Sequence, residues 1–167
     1  MIVVERTLAV RVAPGPTLGY LTDFGNTASW DPAVRQTVRT GAGPIRPGST
    51  WRQVCQFLGI TTELTWMLVG AEAGRLMFHG RNEGATCVDT VVVRAAPTGS
   101  EVTYRVELEM HGLAKLASPL IKMEFEKLGT VGAAALTGAL NRLDGRATEL
   151  QFPTAPASFP TAQGQEA

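Results

Sequence analysis

The sequence predicts an α+β fold: a curved, seven-stranded antiparallel sheet closed by one long C-terminal helix. Three observations predict it. Short segments with apolar–polar alternation recur from residue 2 to residue 111, divided by turns rich in Gly and Pro. Only one segment among them, Thr17–Phe24, has helical spacing. From Gly112 to Leu143 the period changes to that of a long amphipathic helix. A sheet with one open apolar face needs such a cover. A shell built that way encloses a cavity, and a cavity points to a ligand.

The elements follow in order. In Ile2–Val12, Val4, Leu8, Val10 and Val12 share one phase, and Arg6 is the exception to it. Pro14-Gly15-Pro16 ends the strand. Thr17–Phe24 places Leu18, Leu21 and Phe24 on one side, with Pro16 in the first turn, where a missing N–H is tolerated, and Gly25-Asn26 as the stop. Ala28–Pro32 reads as a second short turn or helical step. Strands are expected over Val34–Thr40, Ser49–Leu58, Ile60–Val69, Gly74–Gly80, Ala85–Arg94 and Glu101–His111. The last alternates most cleanly, with Val102, Tyr104, Val106, Leu108 and Met110 on one face. Gly112–Ala117 reads as a turn, after which Ser118 can cap the helix and Pro119 can take its first position. Leu120, Ile121, Phe125, Leu128, Gly132, Leu136, Ala139 and Leu143 then form the apolar side, and Lys122, Glu126 and Lys127 the other. The single domain is expected to span residues 1–145, and the Pro- and Ala-rich composition of 146–167 predicts a disordered tail.

At 167 residues and 44% hydrophobic content the chain can bury a core without disulfides or metals. The formal charge is zero, without the basic stripe that nucleic-acid binding needs. No apolar run approaches a membrane span, and no signal peptide is read at the start, so a cytoplasmic location is expected. Neither a cofactor nor a metal is expected, and the oligomeric state is read as monomer or homodimer. Cys55 and Cys87 fall on strands with two others between them, about 14 Å apart at about 4.8 Å per strand. That is too far for a disulfide.

Several local patterns resemble one family. Ala13-Pro14 to Phe24 followed by Trp30-Asp31-Pro32 is similar to the opening of the START-like SRPBCC superfamily. Gly48-Ser49-Thr50-Trp51, Gly99-Ser100-Glu101-Val102-Thr103-Tyr104 and Pro119-Leu120-Ile121 resemble, in the same order, three further signatures of its polyketide cyclase/dehydrase branch. The resemblance covers roughly residues 2–143. It implies the helix-grip fold, with the sheet wrapped around the long helix. It also implies either binding of an apolar ligand or cyclisation, dehydration or hydrolysis chemistry. Gly19 and Gln53 depart from the family pattern, where bulkier and aliphatic residues are usual.

Alternation names the candidate ligand-binding wall: Trp51, Gln53, Cys55 and Phe57 on one strand, Leu64 and Trp66 on the next, Tyr104 and Val106 on the last, and Leu128 from the helix. Gln53 can donate and accept, so it could orient a carbonyl or hydroxyl. Its bland alternative is a hydrogen bond to a neighbouring side chain. His79 and Asp89, on adjacent strands, form the one plausible acid–base pair, with strand phase undecided. His111 shares a phase with Glu107 and Glu109 and is expected to be exposed. Trp30 and Asp31 read as packing and turn residues. Arg35, Arg39, Arg52 and Arg105 read as outer-face charges, some paired with Glu63, Glu107 or Glu109. The leading expectation is a binding protein for a lipid, polyketide, isoprenoid or aromatic metabolite. A cyclase or dehydratase using His79, Asp89 or Tyr104 is the second. An interaction module is the third, and the charged outer side of the helix argues against it.

Overall fold

A computed structural model of the chain describes residues 1–112 and 118–149, without the side chains of 118 and 144–149. Its elements are β1 (Ile2–Val10), α1 (Pro14–Thr22), a 3₁₀ segment (Phe24–Ser29), β2 (Val34–Arg39), β3 (Thr50–Phe57), β4 (Ile60–Glu72), β5 (Arg75–Arg81), β6 (Ala85–Ala96), β7 (Gly99–Met110) and α2 (Ser118–Glu149). The seven strands form one sheet in the order β1-β7-β6-β5-β4-β3-β2, every neighbouring pair antiparallel. The sheet curls around α2, which is the helix-grip arrangement.

Two tight hairpins organise the β3–β5 region. Leu58-Gly59 and Ala73-Gly74 all have positive φ, as two-residue hairpin turns require. Register shifts at Leu68/Gly70 and Val34/Gln36 mark bulges. Bulges bend strands, which helps this sheet curl. The concave face holds the core. Phe24 sits among Trp66, Phe78 and Trp51 at centroid separations of 4.6, 4.7 and 6.1 Å. Gly80 lies opposite Trp66, and a Cβ there would meet the indole at 2.6 Å. The bare backbone is what lets that ring lie flat on the sheet. Thr17 bonds Ser100 at 3.3 Å, and both hydroxyls reach the Val12 carbonyl, pinning α1 to the start of β7.

The structure corrects several boundaries. α1 starts at Pro14, three residues before Thr17, and Pro16 lies within its first turn. Gly25-Asn26 does not stop a helix that includes Phe24. Asp23 breaks it first, accepting from Gly25 N at 2.9 Å and starting the 3₁₀ segment that contains all three. The aromatic cluster needs Phe24 turned onto the sheet, and that break turns it. On α2, Ile121, Leu136, Ala139 and Leu140 are buried, but Leu120 is 52% exposed, as are Met123 and Val131 to a similar degree. The helix continues past Gly145 to Glu149. The turn expected over 112–117 lies, from 113 on, outside the described residues, as do the Ser118 cap and the tail from 150 on.

Candidate functional site

A cavity of about 150 Å³ lies between the concave face and α2. Much of its wall is apolar: Val4 and Leu8 from β1, Leu64 and Trp66 from β4, Val106 from β7, and Phe125, Leu128 and Leu136 from α2. α2 comes close because its facing residues are small. A Cβ on Gly129 would meet Val4 at 2.7 Å. Arg6 breaks the apolar phase of β1 for a reason visible here. Its Nη2 donates to Glu126 Oε2 at 2.8 Å and to the Glu126 carbonyl at 3.1 Å, tying β1 to α2 at the cavity.

The polar part of the wall is small. Asp89, 5% exposed, takes the Tyr104 hydroxyl on Oδ2 at 2.6 Å. Its Oδ1 is buried and has no hydrogen-bond partner among the described residues. Burial pushes the Asp89 carboxyl up to about 7, opposed by the Tyr104 bond and reinforced by the charge of Asp31. Asp31 is also on the wall, its Oδ1 held by Ala33 N at 2.8 Å, and burial raises it too. Burial beside Asp89 raises the Tyr104 phenol well above its ordinary value, so Tyr104 is a donor and Asp89 the group that titrates. Trp30 stands edge-on to Tyr104 at 5.4 Å.

Of the expected wall residues, Gln53, Leu64, Trp66, Tyr104, Val106 and Leu128 line the cavity. Trp51, Cys55 and Phe57 do not. Trp51 is fully buried under Phe24 and Phe78, with its N–H on Asp23. Phe57 packs edge-on against Phe125 at 5.1 Å. Cys55 is partly buried and donates to Gln53 Oε1 at 3.3 Å. Gln53 reaches the cavity with its amide already engaged. Nε2 donates to Thr27 and Thr37, and Oε1 accepts from Trp66 Nε1 at 2.9 Å. The bland alternative holds for this residue: it orders neighbours and has little left for a ligand.

The His79–Asp89 pair does not form. Asp89 pairs in register with Phe78, and His79 with Val88. Neighbours along a strand point to opposite faces, so His79 is exposed on the convex side while Asp89 is inside. His111 is exposed and bonds Thr86 at 2.8 Å. Of the outer-face arginines, Arg52 pairs across strands with Glu63 (3.9 Å) as expected, whereas Arg105 pairs with Glu107 on its own strand (2.8 Å). Both thiols are raised by burial, Cys55 to about 12 and Cys87 further, so neither is a nucleophile at neutral pH. Trp30, Asp31 and Arg6 are wall residues that the sequence reading left outside the site. For Arg6 the signal was its misfit in an apolar phase.

Among the described residues, no group of three or more His, Cys, Asp or Glu is placed to hold a metal, and no helix is long and apolar enough to cross a membrane. A family model described as polyketide cyclase / dehydrase and lipid transport matches residues 1–147. No curated protein matches the chain. Solved structures match its fold. The ZhuI aromatase/cyclase from Streptomyces sp. R1128 superposes with a TM-score of 0.71 at 12% identity, covering 84% of this chain and 93% of its own. A START superfamily protein from Mycobacterium smegmatis gives 0.71 at 14%, covering 84% and 98%. A protein from Thermus thermophilus gives 0.61 at 16%, covering 83% and 97%.

Proposed function

Because the chain belongs to the polyketide cyclase / dehydrase and lipid transport family, we propose that it binds a hydrophobic small molecule between its sheet and α2. The ligand classes that fit are a lipid, polyketide, isoprenoid or aromatic metabolite. The observation that carries this reading is the apolar cavity itself. Its volume of about 150 Å³ matches dry apolar cavities that hold a benzene ring. It is below the roughly 300 Å³ at which drug-sized sites begin. One ring or chain segment therefore fits as the cavity stands, and a larger ligand leaves its remainder outside or displaces α2. Apolar burial would supply the affinity, at about 25 cal/mol per Å² before the costs of association. Native mass spectrometry of gently purified protein tests this. A retained adduct that extracts into organic solvent supports it. A bare mass that persists after incubation with small arenes and short lipids overturns it.

One observation favours a second reading, an enzyme of the cyclase or dehydratase type. A buried carboxyl brought to about 7 is matched to general acid–base work at neutral pH. Asp89, not His79, would be the base, taking a proton from carbon beside a carbonyl, with the Tyr104 hydroxyl holding its second oxygen. Exchange of such protons in D₂O, followed by NMR on the extracted ligand, separates the readings. Exchange catalysed by the wild type and lost in Asp89→Asn supports catalysis. Binding without exchange leaves the first reading standing alone.

A further inference from the structure

The polar groups of the cavity are not balanced. Among the described residues, Arg6 is the one cation on its wall, and that charge is already taken by Glu126 at 2.8 Å. Two carboxylates remain, Asp31 and Asp89, close enough for the charge of Asp31 to raise Asp89. Gln53 and Thr27 spend their hydrogen bonds on each other and on Trp66 and Thr37. Tyr104 spends its proton on Asp89. What is left over is an acceptor, Asp89 Oδ1, buried and without a partner among the described residues. Leaving such an oxygen unpaired in apolar surroundings is costly, and a partner on a ligand removes that cost.

Resting on the cavity reading above, we propose that the site selects a compact apolar molecule bearing a hydrogen-bond donor, received by the Asp89 carboxylate on the cavity wall, and that Asp31 and Asp89 together exclude carboxylates. Free fatty acids and aromatic acids are then poor ligands head-first, and hydroxylated rings or neutral alcohols are good ones. Asp31 contributes its charge, its Oδ1 being held by the backbone at Ala33.

Three probes of one shape test this on the full chain at pH 8: ethylbenzene, 4-ethylphenol and 4-ethylbenzoate. Binding is read by tryptophan fluorescence, since Trp30 and Trp66 lie on the wall, and checked by NMR. The phenol is expected to bind at least about tenfold more tightly than ethylbenzene, the benefit of a bond to a charged acceptor. The benzoate should bind more weakly than ethylbenzene. In Asp89→Leu the phenol should fall to the level of ethylbenzene, with ethylbenzene itself retained. If that variant does not fold, Asp89→Asn serves: it keeps an acceptor but not the charge, so the phenol advantage should shrink and the benzoate should recover. Equal binding of phenol and ethylbenzene in the wild type overturns this inference alone. So does a preference that survives both substitutions. Failure of all three probes to bind overturns the cavity reading with it.

Discussion

Replacing Asp89 by Asn should make the protein more stable at alkaline pH. In the folded chain the Asp89 carboxyl is brought from 3.8 to about 7 by burial, which the Tyr104 bond only partly offsets. The sign follows from linkage. A carboxyl with a raised folded pKa is fully accommodated below pH 4, where both folded and unfolded chains hold the proton. Between about pH 4 and 7 the unfolded chain releases it first, so stability falls as pH rises. Above about 8 the loss is nearly complete and the curve flattens. The full loss amounts to about 4 kcal/mol, and the part falling between pH 5 and 8 to about 2.5 kcal/mol. Asparagine has the same shape, keeps an oxygen for the Tyr104 hydroxyl and has no charge to desolvate. Asp31 titrates in the same direction and stays in both proteins, although it relaxes when its neighbour is neutral. The other groups coupled to Asp89, namely Tyr104, Cys87 and Cys55, hold their protons throughout this window. Urea denaturation at pH 5, 6, 7 and 8 is the assay. The Asn variant should gain on the wild type steadily across the series and exceed it at pH 8. Parallel curves, or an Asn variant that loses ground as pH rises, would refute the argument that Asp89 is buried at a cost.

Four further outcomes follow from the packing. Gly80→Ala should destabilise by about 1–3 kcal/mol in urea, because its methyl enters the Trp66 ring at 2.6 Å. Gln53→Leu strands the buried Trp66 N–H and should cost about 1–3 kcal/mol, with a changed near-ultraviolet dichroism signal from the indole. Arg6→Met should lower global stability by less than about 1 kcal/mol, since the pair is 31% and 43% exposed, yet amide exchange around Glu126–Thr130 should quicken. Both thiols should react with Ellman's reagent far more slowly in the native protein than in urea, because burial keeps them protonated.

The fold was legible because its signals are periodic. All seven strands and the long helix read out of alternation and turn residues, with errors confined to ends. Those errors have local causes. Phe24 has helical spacing from Leu21, but Asp23 captures Gly25 N and breaks the helix between them. The site was legible only where one phase of a strand was clearly apolar. On β7 the phase carrying Tyr104 and Val106 is unambiguous. On β6, Val88 and Val92 lie on one face and Val91 and Val93 on the other, so apolarity could not say which side Asp89 takes. Only the register with β5, which puts Asp89 opposite Phe78, decides it. Trp51 and Phe57 share the inward phase with Gln53, yet alternation alone gives a face and not a place along it. Phe24 covers Trp51 at one end of that face and Phe125 covers Phe57 at the other, which leaves Gln53 between them at the cavity.

The pairing of β1 with β7 bears on how the chain comes to be made. Ile2 finds its partner at Leu108 and Val10 at Ser100, so the first strand synthesised is completed by the last. Pairings of that sequence separation slow folding far more than they weaken the product, because closing a long loop adds little free energy yet must precede the contacts that reward it. A nascent chain that stops before residue 99 can zip β2 through β6 as successive hairpins. Its N-terminal strand, apolar on one side, still has no edge to join. Nor does it have the wall that α2 seals. The ligand site therefore comes into existence only after α2 has followed β7 out of the ribosome.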